Sequence, residues 1–388
     1  MMQISRVLAA AAVASTALLT HVRTADAACH MWQCGGNTPI LWGTFIRGLS
    51  SQGESNLEGV VLHPELIASP GGRCGGTGVR VVVDDGVLRA VGRDGAPVCT
   101  GSELIGAAFD LDVPYKQHKI RVRVQVAAMD QVSTWEREKA MVLPTYRFEV
   151  IAQGAWVAPG GEPPRGLAAF APVTPMPLCE TSDTWMEDWQ TEGLLAVQPS
   201  PTAGIMEYHN PEGTVGQRWQ GGTDHAILVN GQSYDEHGSS AMIGQQWFQI
   251  ACAGSAIAKM RLLGVDPKQP ELIEKGVTVS TLKMLGARYG GTTAFTRKGT
   301  PIRWERWDAR AFYGGPDPRL ALGPLEAAWR GDGAVCVSHL RLARVSLGWP
   351  VMFEAFVQMA MARVYGTRPC GTTDGAIWVT TTVEHVMH

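Results

Sequence analysis

Apolar and polar residues alternate most regularly from Ile120 to Val126. Ile120, Val122, Val124 and Val126 lie on one side, and Arg121, Arg123 and Gln125 on the other. A period of two predicts a half-exposed antiparallel strand. Tyr146 to Val150 repeats the pattern, and Leu104 to Leu111 reads as a further strand. Val79 to Val83 and Val87 to Val91 flank Asp84-Asp85-Gly86, a hairpin signal because both central turn residues must tolerate positive φ. Residues 79–157 therefore read as an antiparallel sheet. Ala226 to Val229 is a short strand ending at the turn pair Asn230-Gly231, and Trp247 to Ile250 is another strand. Ala327 to Trp329 and Ala334 to Ser338 flank Gly331-Asp332-Gly333, a second hairpin. Ala376 to Val383 is a β-branched strand expected to close the sheet.

The period changes after Cys252. Ile257, Met260 and Leu263 fit a helix over Ser255 to Leu263, with Gly264 as its stop. A second helix is expected from Leu272 to Leu285, ending at Gly286, although Val277, Thr278 and Val279 have weak helix propensity. A third starts at Pro350, with Phe353, Phe356, Val357, Ala360 and Val364 on one face. Ala158 to Leu178, rich in Pro, Gly and Ala, reads as a linker or a long surface loop, and Glu192 to Asp224 as loops with short strands. The expected fold is α+β: mainly antiparallel β-sheet with a few packed helices. The expected organisation is a signal peptide at 1–27, a β-rich region at 28–157, a loop-rich linker region at 158–244, a central region at 245–345, and a C-terminal helix and strand at 346–388.

Composition adds a compartment. Arg6, the apolar run Val7 to Leu19 and the small residues of Ala25-Asp26-Ala27 form a secretory signal pattern. Cleavage there would move the formal charge from −3 to −4, because Arg6, Arg23 and Asp26 leave. No basic field remains to hold nucleic acid. No later run reaches the length of a membrane span. Cys29 follows two alanines, but Asp26 fits a lipidation site poorly. The eight cysteines all follow the cleavage point, and an even number in an exported chain predicts disulfides. No paired CxxC spacing supports zinc, and Cys29-His30 with Cys34 lacks a second half-site.

The candidate chemistry is sparse. Asp224-His225 and Ser233-Tyr234-Asp235-Glu236-His237, with Ser239 and Ser240 following, mix acid, imidazole and hydroxyl groups. The sequence lacks both a GxSxG elbow and HExxH. A hydrolase would need His225 or His237 against a serine and a carboxylate. Arg303-Trp304-Glu305-Arg306-Trp307 could stack a glycan or peptide, as could Trp185 and Trp189. Arg121 and Arg123 could hold an anion, but a solvated strand face is the expected role. No calcium loop surrounds the acidic Glu180 to Asp188 stretch.

The stretch from Gln245 to Asp308 resembles the ADYC domain, a family known mainly from predicted bacterial exported proteins and without an established activity. The family's Ala-Asp-Tyr-Cys run followed by Gly corresponds here to Ala287-Arg288-Tyr289-Gly290 followed by Gly291. TRKGTPI at Thr296 to Ile302, FQIACAGSAIAKM at Phe248 to Met260, EAAWRGDGAVC at Glu326 to Cys336 and GSELIGAAF at Gly101 to Phe109 resemble further family segments. The resemblance spans about residues 75 to 340 and is densest after 245. Gly290, Met260 and Thr281 stand at family cysteine positions, which implies that Met260 and Thr281 replace a lost bridge between two helices. Cys252 with Cys336 is the expected first disulfide.

The expected protein is an exported, disulfide-containing chain without catalytic activity, secreted or periplasmic, with cell-surface association as an extension of that reading. No cofactor, metal or nucleic-acid partner is expected. The alternatives are a carbohydrate- or peptide-binding module and a hydrolase using His225 or His237.

Overall fold

The computed structural model describes residues 34–36, 46, 48–67, 74–115, 118–134, 141–157, 171–179, 207–209, 215–218, 224–235, 238–290, 294–296, 301–306, 325–331, 333–338, 340–341, 369–370 and 375–381. The signal pattern and the Pro350 helix lie outside them. Strands are numbered along the chain. The larger sheet has 11 strands. Its order is β2 (Leu49–Ser50), β14 (Ser240–Cys252), β13 (His225–Tyr234), β9 (Val142–Val157), β8 (His118–Ser133), β7 (Ala108–Tyr115), β3 (Val61–Ile67), β4 (Arg80–Asp84), β5 (Val87–Val91) and β6 (Pro97–Thr100). β10 (Ala171–Pro177) adds to β9. The second sheet has 7 strands. Its order is β12 (Val215–Arg218), β11 (Glu207–His209), β1 (Cys34–Gly36), β15 (Pro301–Arg306), β18 (Trp378–Thr381), β16 (Leu325–Arg330) and β17 (Gly333–Val337). All registered strand pairs are antiparallel.

Among the described residues there are three helices, α1 (Ala256–Leu262), α2 (Pro270–Glu274) and α3 (Val277–Leu285), of which α1 and α3 lie between the sheets and α2 packs on α3. α1 touches β13 and β14, while α3 touches β16, β17 and β18. One core joins Ile227, Val229 and Ala251 of the large sheet to Ile257, Met260, Leu282 and Met284 of the helices. It continues to Trp304, Trp329 and Trp378 of the second sheet. The other face of the large sheet buries Phe109, Val122, Phe148, Leu228 and Ile250 under Val81 and Leu88, because β4 folds back over β13 and β14. β13 is thus covered on both faces, and all its residues are buried.

Several expected elements form as read. Val122, Val124 and Val126 are buried, whereas Arg121, Arg123 and Gln125 are half-exposed. The β4–β5 turn takes positive φ at Asp85 (52°) and Gly86 (74°). Ser255 caps α1 by accepting from the Ala258 N–H at 3.2 Å. Gly264 follows the helix at φ 78°.

Others differ for physical reasons. Asn230-Gly231 is a bulge inside β13, with Gly231 at φ 97°, and the strand continues to Tyr234. Asn230 Oδ1 accepts the Gly86 N–H at 3.2 Å, so the residue read as a turn ties two layers together. The Leu272 to Leu285 helix is broken at Gly276 (φ 70°), where a Cβ would come within 2.9 Å of Gly331 Cα. Gly101–Leu104 is a 3-10 turn with a Thr100–Glu103 capping box, so the strand expected from Leu104 starts at Ala108. β10 lies in the stretch read as linker. β18 sits between β15 and β16 rather than at a closing edge.

The disulfides also differ. Cys252 pairs with Cys179, not with Cys336, and Cys336 pairs with Cys370. Cys74 pairs with Cys99. Cys252 ends β14 on the β4 side of the large sheet, whereas Cys336 lies in the second sheet, beyond the helices. That separation explains why the expected pair does not form.

Candidate functional site

The most constrained group of side chains surrounds the end of α3. The Ala287 N–H donates to Met284 O at 3.1 Å, and the Arg288 N–H donates to Lys283 O at 2.9 Å. This is a Schellman stop. Its left-handed residue is Ala287 (φ 47°), not the expected Gly286, which remains in the right-handed region at φ −83°. The chain then turns Tyr289 inward until it is fully buried. The Tyr289 hydroxyl donates to Glu326 Oε1 at 2.9 Å and accepts the Arg341 N–H at 3.0 Å. Arg341 Nε lies 3.0 Å from both Glu326 oxygens, and its Nη1 donates to Met284 O at 2.9 Å. A cation at this carbonyl also complements the helix dipole. Glu326 and Arg341 are 1% and 2% exposed, so the charges have left water and depend on one another. Burial pushes the Tyr289 phenol well above its ordinary value, and the Glu326 carboxylate adds to the shift. Tyr289 stays neutral and acts as a hydrogen-bonding pin.

Among the described residues, the candidate catalytic side chains do not converge. His225 is buried, with Nδ1 3.0 Å from Asp224 Oδ1. Asp224 is shared with Arg147, whose Nε lies 3.0 Å from Oδ2. Among the described residues, no serine completes this pair. Ser240 Oγ accepts from the Gln232 side-chain amide instead. The Ser239 N–H caps Asp235 Oδ1 at 2.8 Å. Glu236 and His237 lie outside the described residues, as do Trp185, Trp189 and Trp307. Trp304 is buried, at 3% exposure, within the core that joins helices and second sheet. Arg121 and Arg123 grip Asp112 and Asp110 across the β7–β8 ladder, at 2.7 and 2.8 Å, so the strand's cations already have anions. Among the described residues, no group of three His, Cys, Asp or Glu side chains could hold a metal ion, and no helix is long and apolar enough to cross a membrane.

Residues 206–343 match the family model of the ADYC domain. These residues form an ADYC domain. No curated protein and no solved structure matches the chain.

The ADYC match starts at β11, upstream of the densest sequence resemblance, and ends just after Arg341. The domain does not stand apart from the rest of the chain. β13 and β14 extend the large sheet through β9, while β1 and β18 complete the second one. Its signature run stops α3 and delivers Tyr289 to the Glu326–Arg341 pair. Met260 and Thr281 are both fully buried but have separate partners. Met260 Sδ lies 3.9 Å from the Tyr234 hydroxyl, while Thr281 Oγ1 donates to Val277 O and accepts from Trp378 Nε1, at 2.7 and 2.9 Å. Sequence reasoning missed Glu326 and Arg341. The available signal was a glutamate opening the otherwise apolar strand Glu326-Ala327-Ala328-Trp329, where a buried carboxylate requires a cation.

Proposed function

We propose that this chain is an exported, disulfide-braced, non-catalytic protein, secreted or periplasmic, in which the ADYC domain acts as the rigid centre of a larger scaffold. The same reading takes the fold as α+β, with the helices as a filling layer between sheets. The supporting observation is that all six described cysteines from Cys74 onward are paired. Disulfides of this density persist in oxidising compartments and are rare in the cytosol. Among the described candidates, Asp224 is shared by His225 and Arg147, Asp235 accepts the Ser239 N–H and Ser240 accepts from Gln232, which supports a scaffold over a hydrolase.

N-terminal sequencing of material recovered outside the cytoplasm tests the reading. A start at Ala28, or within a residue of it, is expected, together with non-reduced peptides joined at the three pairs above. An intact Met1 on a reduced cytosolic product would overturn export. Turnover of an ester, peptide or glycoside that disappears in a folded His225→Ala or His237→Ala variant would overturn the non-catalytic part.

A further inference from the structure

The described disulfides are not equally sheltered. Cys74, Cys99, Cys179 and Cys252 all lie within the core on the β4 side of the large sheet, each no more than 4% exposed. The Cys336–Cys370 bridge has one end fully buried, at Cys336, and one half-buried end, Cys370, which follows the exposed Pro369. Its setting also differs. Cys336 of β17 is in register with Ala328 of β16, and Ala328 with Val379 of β18, so the three share one face of the second sheet. Trp329 and Trp378 pair on the opposite face, in the core shared with the helices. On the outer face, Ala328, Cys336, Ala376 and Val379 form a small buried cluster, with Leu325, Val335 and Cys370 partly covering it. The bridge is a large share of this satellite core. The Cys370 N–H donates to Ser338 Oγ, just past β17, at 3.0 Å. The bridge thus clamps the chain to β17 shortly before it enters β18.

We propose that Cys336–Cys370 is a thiol–disulfide exchange site, opened at Cys370 by an external dithiol while the Cys74–Cys99 and Cys179–Cys252 bridges stay closed. Exchange needs a thiolate to reach one sulfur in line with the S–S bond, so access decides which bridge reacts. A thiolate of the dithiol attacks Cys370 Sγ. A new S–S bond forms there, the old one breaks, and Cys336 leaves as a thiolate. The second thiolate of the dithiol then attacks its own partner sulfur, and Cys370 leaves. The dithiol is oxidised by two electrons to a disulfide. The bridge is reduced, and its two thiolates take up the two protons that the dithiol gave up. Opening removes the cover over Ala328 and Val379 and frees the approach to β18. The Trp329–Trp378 side of the sheet keeps its packing against the helices. The exchange therefore acts on the outer face of the second sheet and leaves the main core in place.

The full chain would be treated with graded dithiothreitol without denaturant, its new thiols trapped with iodoacetamide, and the alkylated cysteines mapped by mass spectrometry. Cys336 and Cys370 are expected to be alkylated several-fold faster than Cys74, Cys99, Cys179 and Cys252. Either of the other two bridges opening as fast or faster would overturn the proposal. Hydrogen exchange reads the consequence. In the Cys336→Ala, Cys370→Ala double variant, amides of β17 and β18 should exchange several-fold faster, with β13 unchanged. The same measurement on the wild-type chain after selective reduction does not depend on the variant folding. Unchanged protection of β17 and β18 after selective reduction would overturn the uncovering of the outer face. Loss of protection throughout β13 as well would show that the bridge holds the whole fold and is not a local exchange site.

Discussion

Two arginine–carboxylate constellations in this chain use the same chemistry in opposite settings. On the outer face of the large sheet, Arg121–Asp112 and Arg123–Asp110 are cross-strand pairs with arginine side chains 31% and 26% exposed. Between the helices and the second sheet, Arg341–Glu326 is almost wholly buried. The arginines of the outer pairs keep partial access to water and ions, so these pairs are screened more than the inner one, although Asp112 itself is only 7% exposed. The inner pair has no such reserve. Each of its charges was desolvated on folding, and the partner supplies the main compensation. The inner pair therefore specifies a unique arrangement of α3, Tyr289 and β16 more than it adds net stability.

The largest effect should come from breaking that pair. Arg341→Met leaves Glu326 buried and unpaired and should cost about 3–5 kcal/mol in chemical denaturation. Replacing both residues, as Arg341→Met with Glu326→Leu, should recover much of the loss. A double variant as unstable as the single one would show that packing, not charge, holds the centre. Trp304→Ala in the same core should cost about 3–5 kcal/mol by leaving a cavity. A fully stable Trp304→Ala variant that had lost glycan or peptide binding would return the strand to a binding role.

Tyr289→Phe keeps the ring and removes the pin. The Arg341 N–H then has no acceptor there, and a loss of about 1–3 kcal/mol is expected. The ring stack on Trp329, with centroids 5.0 Å apart, should survive and keep the near-ultraviolet circular dichroism largely unchanged.

The outer pairs should give the smallest response. Asp110→Asn should change stability by about 1 kcal/mol or less at neutral pH. Asp112 adds a pH signature. Burial pushes its carboxyl up, but hydrogen bonds from His63 and Arg121 outweigh this and hold it well below the usual carboxylate range. A carboxyl lowered on folding contributes stability above its unfolded value, about 3.9, and that contribution fades as pH falls further. Asp112→Asn should therefore flatten the acid limb of the stability–pH curve. An unchanged limb would show that the pair is screened to nothing.

The contrast also explains what could be read from the sequence. The outer ladder was legible because period-two alternation carries both the strand and its exposed face within a few residues. The β4–β5 hairpin and the α1 stop at Gly264 were legible for the same local reason. The inner centre was not, because Tyr289 meets Glu326 across 37 residues and Arg341 meets Glu326 across 15. The same limit applies to Asn230-Gly231. Its dipeptide is a sound turn signal, but the contact from Gly86, 144 residues away, belongs to a strand that runs through. The break at Gly276 reflects the close approach of Gly331, which no local pattern encodes. The cysteine pairing was hidden behind which sheet each cysteine joins.

The position of β18 sets an order of events in time. Synthesis delivers β15 and β16 well before β18, yet β18 is the strand that joins them. Until residue 381 has been made, the growing chain holds two sheet edges that cannot meet, with Trp329 and Thr281 awaiting their partners Thr380 and Trp378. Such non-local pairing slows folding and lengthens exposure of unpaired edges. A chain built this way stays open along one seam until the late strand arrives and locks it.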